Sequence, residues 1–276
     1  MFDTKHIEDA VRRTGYSLLQ VESLMNLMDA ARGLSTEDFI LTGGTAIQQA
    51  VKAPYRRISL NLDYDLGTGM PVEAIDSLME LHGFRGGEYD RFSGTRTYYR
   101  ISSEEYNSGT RLSGEELNDH RVRIRINVKR ITRNYVYCDF NALPGVPDTY
   151  PFSQKILGIE RLLASKIVLS AKSEKAAVGG VRHKDLFDVV AQVNFPRRKL
   201  RYRVVAEEIK RDLRIRGSSR PAEEVIQSCR SNLAGLLDSN ATGFYSSYNV
   251  SERVSQNMEK IIEKTKEALE RINCRG

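Results

Sequence analysis

Apolar residues return at helical spacing between Ile7 and Ala31, at Val11, Leu18, Leu19, Leu24 and Leu27, and Gly33 ends the run. Phe39 to Leu41 is a short apolar stretch of strand length, and Thr42, Gly43, Gly44 and Thr45 make a tight polar turn into a helical segment over Ala46 to Val51. From Leu60 to Leu66 the period drops to two, so Leu60, Leu62, Tyr64 and Leu66 point one way and Asn61, Asp63 and Asp65 the other. Pro71 to Leu81 reads as a helix, with proline near its start and Gly83 past its end. Strand periodicity governs Phe84 to Asp139, broken by Gly86-Gly87, Gly94 and a polar loop around Ser102 to His120. After Pro144, Pro147 and Pro151 the pattern turns helical to the end. These elements predict an α/β fold, with a mixed-sheet domain over residues 1–150 and an all-helical region over 151–276.

Composition narrows the class. The chain has 276 residues, 40% hydrophobic and 28% charged, as in an ordinary globular protein with a full core. No apolar run has the length of a membrane span and the N-terminus lacks a signal-peptide core, which points to a cytoplasmic protein with no membrane partner. Cys138, Cys229 and Cys274 are scattered, as are the four histidines, and neither set has metal-ligand spacing. The net charge of +6 is distributed in rows. Arg121, Arg123, Arg125 and Lys129 alternate with Val122, Ile124, Ile126 and Val128, with Asn127 interrupting the basic face, and further runs lie at 197–203 and 210–216. Such rows are either solvated faces or phosphate contacts, as in RNA binding.

The turn and the polar strand carry the chemistry. Glycines let a backbone approach a phosphate closely, and the free N–H groups of the following helix favour an anion. Carboxylates alternating along a strand suit Mg²⁺, which takes oxygen ligands together with substrate phosphates. The combination is suited to a nucleoside triphosphate (NTP) with its magnesium.

The pattern Gly43-Gly44-Thr45-Ala46-Ile47 followed by Arg57-Ile58-Ser59-Leu60-Asn61-Leu62-Asp63-Tyr64 resembles the nucleotidyltransferase superfamily, most closely the AbiEii-like toxins of type IV toxin/antitoxin systems. The resemblance implies a nucleotidyltransferase domain, nucleotide contacts from Gly43, Gly44, Thr45, Arg57 and Ser59, and metal binding at Asp63. Asn61 stands where the family places its first metal-binding Asp, so either Asp65 restores the pair or the protein is a weakened relative. A third carboxylate usually comes from a later strand; the strand over Arg121 to Val128 offers none, which leaves Asp139 as a candidate.

In the helical region, Lys166 lies on the apolar stripe of Ile159, Leu162, Leu163, Ile167 and Leu169, either reaching out to solvent or aimed at a substrate. Asp185 and Asp188 share a helix face, as acids complementing the helix dipole or as functional groups. Glu160-x-x-x-Ala164-x-Lys166 and Arg182-x-Lys184-Asp185-Leu186-Phe187-Asp188 resemble two AbiEii motifs, with Phe187 in place of Tyr. The resemblance implies that Asp185 is catalytic and that Lys166 and Arg182 contact phosphate, while Gly179-Gly180 gives the intervening loop freedom to close. It also implies transfer of a nucleotide to an RNA end, tRNA in characterised relatives, with a neighbouring antitoxin as regulator. A nucleotide- and RNA-binding relative with weakened catalysis, or a transferase acting on a small molecule or protein, are the alternatives.

Overall fold

The computed structural model describes residues 4–52, 55–59, 61–91, 94–100, 122–132, 134–140, 152–171, 183–237, 245 and 250–273. The chain forms two compact units, Met1–Gln49 with Ser59–Leu157 and Ala50–Ile58 with Gly158–Gly276. Arg57 thus belongs to the second unit and Ser59 to the first. Arg121, Gly179, Gly180 and Arg182, named above, lie outside the described residues.

The first unit begins with α1 (Thr4–Thr14) and α2 (Leu18–Gly33), where the apolar periodicity had suggested one helix. Gly15 breaks the run at φ +68, and Ser17 starts a new helix through a capping box with Gln20. Next come β1 (Phe39–Thr42), α3 (Gly43–Ala50), β2 (Asn61–Leu66) and α4 (Val72–Leu81). The strands β3 (Arg85–Asp90), β4 (Thr95–Arg100), β5 (Val122–Ile131), β6 (Tyr135–Asp139) and β7 (Ser153–Leu157) complete a seven-stranded sheet in the order β3-β4-β5-β2-β1-β7-β6. The sheet is mixed: β2 runs parallel to β5 and antiparallel to β1, which is parallel to β7. Two local expectations change. Gly86 and Gly87 do not interrupt a strand but form a bulge inside β3, at φ +115 and +90, and residues 153–157, expected to be helical, form a strand.

One sheet face is apolar. Leu41 pairs with Tyr64, Phe39 with Leu66, and Ile124 and Ile126 with Leu62 and Tyr64, and α2, whose Val21, Leu24, Met25 and Met28 are buried, packs against β2 and β5. The Phe39 and Tyr64 rings lie 5.7 Å apart. The opposite face carries the polar positions of β2 and β5.

The second unit is helical: α5 (Ile159–Ser170), α6 (His183–Asn194), α7 (Tyr202–Ile215), α8 (Ala222–Asn232), a 3₁₀ turn (Leu233–Leu237), α9 (Glu252–Gln256) and α10 (Met258–Asn273). Helix α5 packs against α6, α7 and α8. Residues 50–58 join this unit by local contacts: Val51 bridges to Pro196, Lys52 N–H donates to Phe195 O, and the Tyr55 and Phe195 rings stack. Among the described residues, no helix is long and apolar enough to cross a membrane.

Candidate active site

Helix α3 begins at Gly43, directly after β1, so its first-turn N–H groups open at the end of a strand at the centre of the sheet. Gly43 has φ +67, and a β-carbon there would overlap the Asp63 carboxylate, with Asp63 Cβ only 3.1 Å away. The turn and the acid are therefore in direct apposition. Thr45 is buried, with Oγ1 2.5 Å from the Asn61 carbonyl and 3.2 Å from Ser59 Oγ. Its hydroxyl and that of Ser59 tie the helix start to β2, which is a positioning duty. Thr42 Oγ1 adds a second tie, donating to the Asp63 carbonyl at 3.1 Å.

The alternation along β2 holds as expected, with Asn61, Asp63 and Asp65 on one face, yet their surroundings differ. Asn61 and Asp63 are half-buried, whereas Asp65 is 3% exposed and accepts from Thr132 Oγ1 at 3.1 Å. The accessible polar edge is thus Asn61 and Asp63.

Parallel pairing sets Arg123 beside Asn61, Arg125 beside Asp63 and Asn127 beside Asp65. Arg125 Nε donates to Asp63 Oδ1 at 2.6 Å, so one cation of β5 neutralises the accessible acid of β2. The sequence had suggested Arg125 as an RNA contact, and in the structure it has an acid partner. Arg123 Nε is buried and meets no hydrogen-bond partner among the described residues.

Asp139 lies elsewhere. Its strand β6 is three positions from β2, and the register sets it four residues down the strands from the level of Asp63, about 14 Å across and about 13 Å along. Its carboxylate accepts from Ser153 Oγ at 3.3 Å.

No group of three or more His, Cys, Asp or Glu among the described residues could hold a metal by itself. Asp63 with the Asn61 amide fits a magnesium ion that brings phosphate oxygens as its remaining ligands, since such sites need only one or two carboxylates. It does not fit an ion held by protein alone.

In the second unit, Arg57, Lys166, Asp185 and Asp188 form one buried cluster. Arg57 clamps Asp188 with two donors, Nε to Oδ1 at 2.8 Å and a terminal nitrogen to Oδ2 at 2.7 Å, and donates to the Ile58 carbonyl at 2.9 Å. Lys166 Nζ sits 2.5 Å from Asp185 Oδ1 and 2.8 Å from Asp188 Oδ2. Burial alone would lower the Lys166 pKa, but the charges of Asp188 and Asp185 outweigh it and raise the value. Burial would likewise raise Asp188, and Arg57 and Lys166 outweigh it, so its pKa is lowered. Lys166 therefore does not reach to solvent: it is 8% exposed and held by two acids. Asp188, the less obvious of the two acids from sequence, is the hub joining both cations.

A separate buried cluster joins Arg161 to Glu208 and Asp212, with Arg216 also on Asp212. It removes two acids from the surface of α7. Between Arg197 and Arg216 nine cations stand against three acids, a net charge equal to the +6 of the whole chain. All nine cations are exposed, and of the acids only Glu207 is.

This topology, with a glycine turn opening a helix beside an acid-bearing central strand, is the nucleotidyltransferase fold. The nucleotidyltransferase toxin MenT4 of Mycobacterium tuberculosis H37Rv is similar over 93% of this chain and 98% of its own, with a TM-score of 0.51 and 14% identity. A proposed nucleotidyltransferase of Helicobacter pylori covers 93% of this chain and 99% of its own at a TM-score of 0.49 and 12% identity. No protein-family model and no curated protein matches the sequence.

Proposed function

We propose that the protein is a nucleotidyltransferase that moves a nucleoside monophosphate from an NTP to an acceptor hydroxyl, with pyrophosphate leaving, and that it is the toxin of a toxin/antitoxin pair. The observation that carries the reading is the apposition of Gly43 to Asp63, in a fold shared with a nucleotidyltransferase toxin. N–H groups at the start of α3 cradle the triphosphate, with Gly43 and Gly44 leaving room for it. Asp63, with Asn61, holds Mg²⁺ brought by the nucleotide, and the ion offsets charge developing on the phosphates. Asp185 serves as the catalytic carboxylate and Lys166 as its partner and a phosphate contact. Arg57, paired with Asp188, positions Lys166. Arg182 is a further phosphate contact on the AbiEii resemblance.

For the acceptor we propose an RNA end, tRNA by the same resemblance. The nine exposed cations at 197–216 support a polyanionic partner, because phosphate neutralisation dominates such binding. One specific feature favours a second reading, a nucleotide-binding relative with weakened transfer: Asn61 replaces an acid and Asp65 is buried, which leaves Asp63 as the single accessible carboxylate of β2, and that one is paired with Arg125.

Incubation with total RNA, Mg²⁺ and each of the four α-labelled NTPs, for wild type and Asp63→Ala, tests the proposal. Label on RNA in the wild type alone is the expected result. Nucleotide binding without incorporation selects the second reading, and label on protein or a small molecule moves the acceptor.

A further inference from the structure

Asp63 is engaged on both sides. Oδ2 lies over Gly43, and Oδ1 accepts from Arg125 on the neighbouring parallel strand. The place on β5 from which another acid would reach this carboxylate is filled by a cation belonging to the protein. Arg125 is the more exposed partner, its side chain 45% exposed against 22% for Asp63. A pair this exposed holds by a factor of only about two to five, so it opens readily. An arginine fork also has a second natural partner, since paired N–H donors match two phosphate oxygens. That anion is what the turn at Gly43 and Gly44 is built to receive, and Arg123 brings a further guanidinium to the same face.

We propose that Arg125 is a resident counter-cation with two alternative anions: it closes on Asp63 when the site is empty and moves to the triphosphate when one binds, releasing Asp63 to a metal. The inference rests on the nucleotidyl-transfer reading for the identity of the anion. Arg125 and the metal then compete for Asp63 yet both serve the phosphates. Removing Arg125 must weaken metal-free phosphate binding while increasing what the metal adds.

Calorimetry with inorganic tripolyphosphate, in EDTA and in Mn²⁺, separates these effects without knowledge of the base. Arg125→Gln should bind metal-free tripolyphosphate about tenfold more weakly, the scale of one charge-assisted hydrogen bond, and Mn²⁺ should restore most of that affinity. The ratio of metal-free to Mn²⁺ dissociation constants therefore rises by about tenfold or more over wild type. Arg125→Lys, which keeps the charge without the fork, should fall between, and Asp63→Ala should lose the Mn²⁺ enhancement. A ratio in Arg125→Gln equal to or below that of wild type overturns the proposal, as does a wild type that binds neither form. Incorporation of labelled nucleotide by a wild type whose ratio does not respond to Arg125→Gln rejects the counter-cation and leaves the transferase reading standing. A raised ratio with no incorporation from any NTP does the reverse.

Discussion

The carboxylate of Asp63 occupies the space that a β-carbon on Gly43 would need, and Gly43 itself sits at φ +67. Two separate demands thus fix glycine at this position. Gly43→Ala should cost about 1–2 kcal/mol for the left-handed backbone. It should also displace Asp63, lowering nucleotide incorporation by about a hundredfold, the scale of a misplacement near 1 Å. Thermal melts and incorporation assays read the two effects separately. Wild-type activity in a folded Gly43→Ala protein would detach Asp63 from the reaction.

Asp63 and Asp65 share a face but should respond oppositely to removal. Asp63→Ala should abolish incorporation and leave stability within about 1 kcal/mol of wild type, because its partner Arg125 is well exposed. Asp65→Ala should cost about 1–3 kcal/mol, since it removes a buried acceptor from Thr132. Urea unfolding of both variants checks the order.

Asp188 balances two cations, whereas Asp185 is joined to Lys166. Asp188→Ala should therefore destabilise by about 3–5 kcal/mol, the scale for breaking a buried pair, and by more than Asp185→Ala. The second variant should lose incorporation beyond what its stability explains. Greater destabilisation from Asp185→Ala would remove Asp188 from the centre of the cluster.

The same cluster sets a pH window. The Asp188 pKa is lowered in the folded state, so its contribution is present above the ordinary value of 3.8 and is lost as pH falls below it. The Lys166 pKa is raised, so its contribution is complete below 10.5 and is lost as pH rises beyond that value. The stability difference between wild type and Asp188→Asn should be flat between these limits and shrink on the acid side. A difference that shrinks already near neutrality would contradict the charge assignment.

RNA affinity should depend on the exposed cations of the second unit rather than on Arg125. Replacing Arg197, Arg198 and Lys199 with Gln should flatten the slope of log K against log salt by about 0.7–0.9 for each phosphate no longer neutralised. Arg125→Gln should change the slope by one contact at most, because a single guanidinium neutralises a single phosphate. Filter binding across a salt series distinguishes the two.

What the sequence reveals here depends on how local the signal is. The turn at Gly43 and the alternation over Asn61 to Asp65 are legible because periodicity and turn chemistry act within a few residues. The strand β7 is not: Ser153–Leu157 is short, runs straight into α5, and owes its existence to pairing with β6 and with β1, the latter far away in sequence. Arg125 shows the same limit in the site. Period two correctly sets Arg123 and Arg125 on one face of β5, yet nothing local says that β2 lies alongside. The complementary patterns Asn61-x-Asp63-x-Asp65 and Arg123-x-Arg125-x-Asn127 were the available signal, visible once the two strands are set in parallel register. Lys166, similarly, owes its buried state to two acids on another helix, beyond the reach of its own apolar stripe.

The segment 50–58 has a consequence for dividing the gene. Neither unit is a continuous stretch, because this short segment is inserted in the sequence of one and packs with the other. A polypeptide ending at Leu157 would keep Tyr55 and Val51 but lack Phe195 and Pro196, against which they rest. A polypeptide starting at Gly158 would keep Asp188 but lack Arg57, leaving a buried acid short of a clamp. A split version would therefore have to supply residues 50–58 with its second piece.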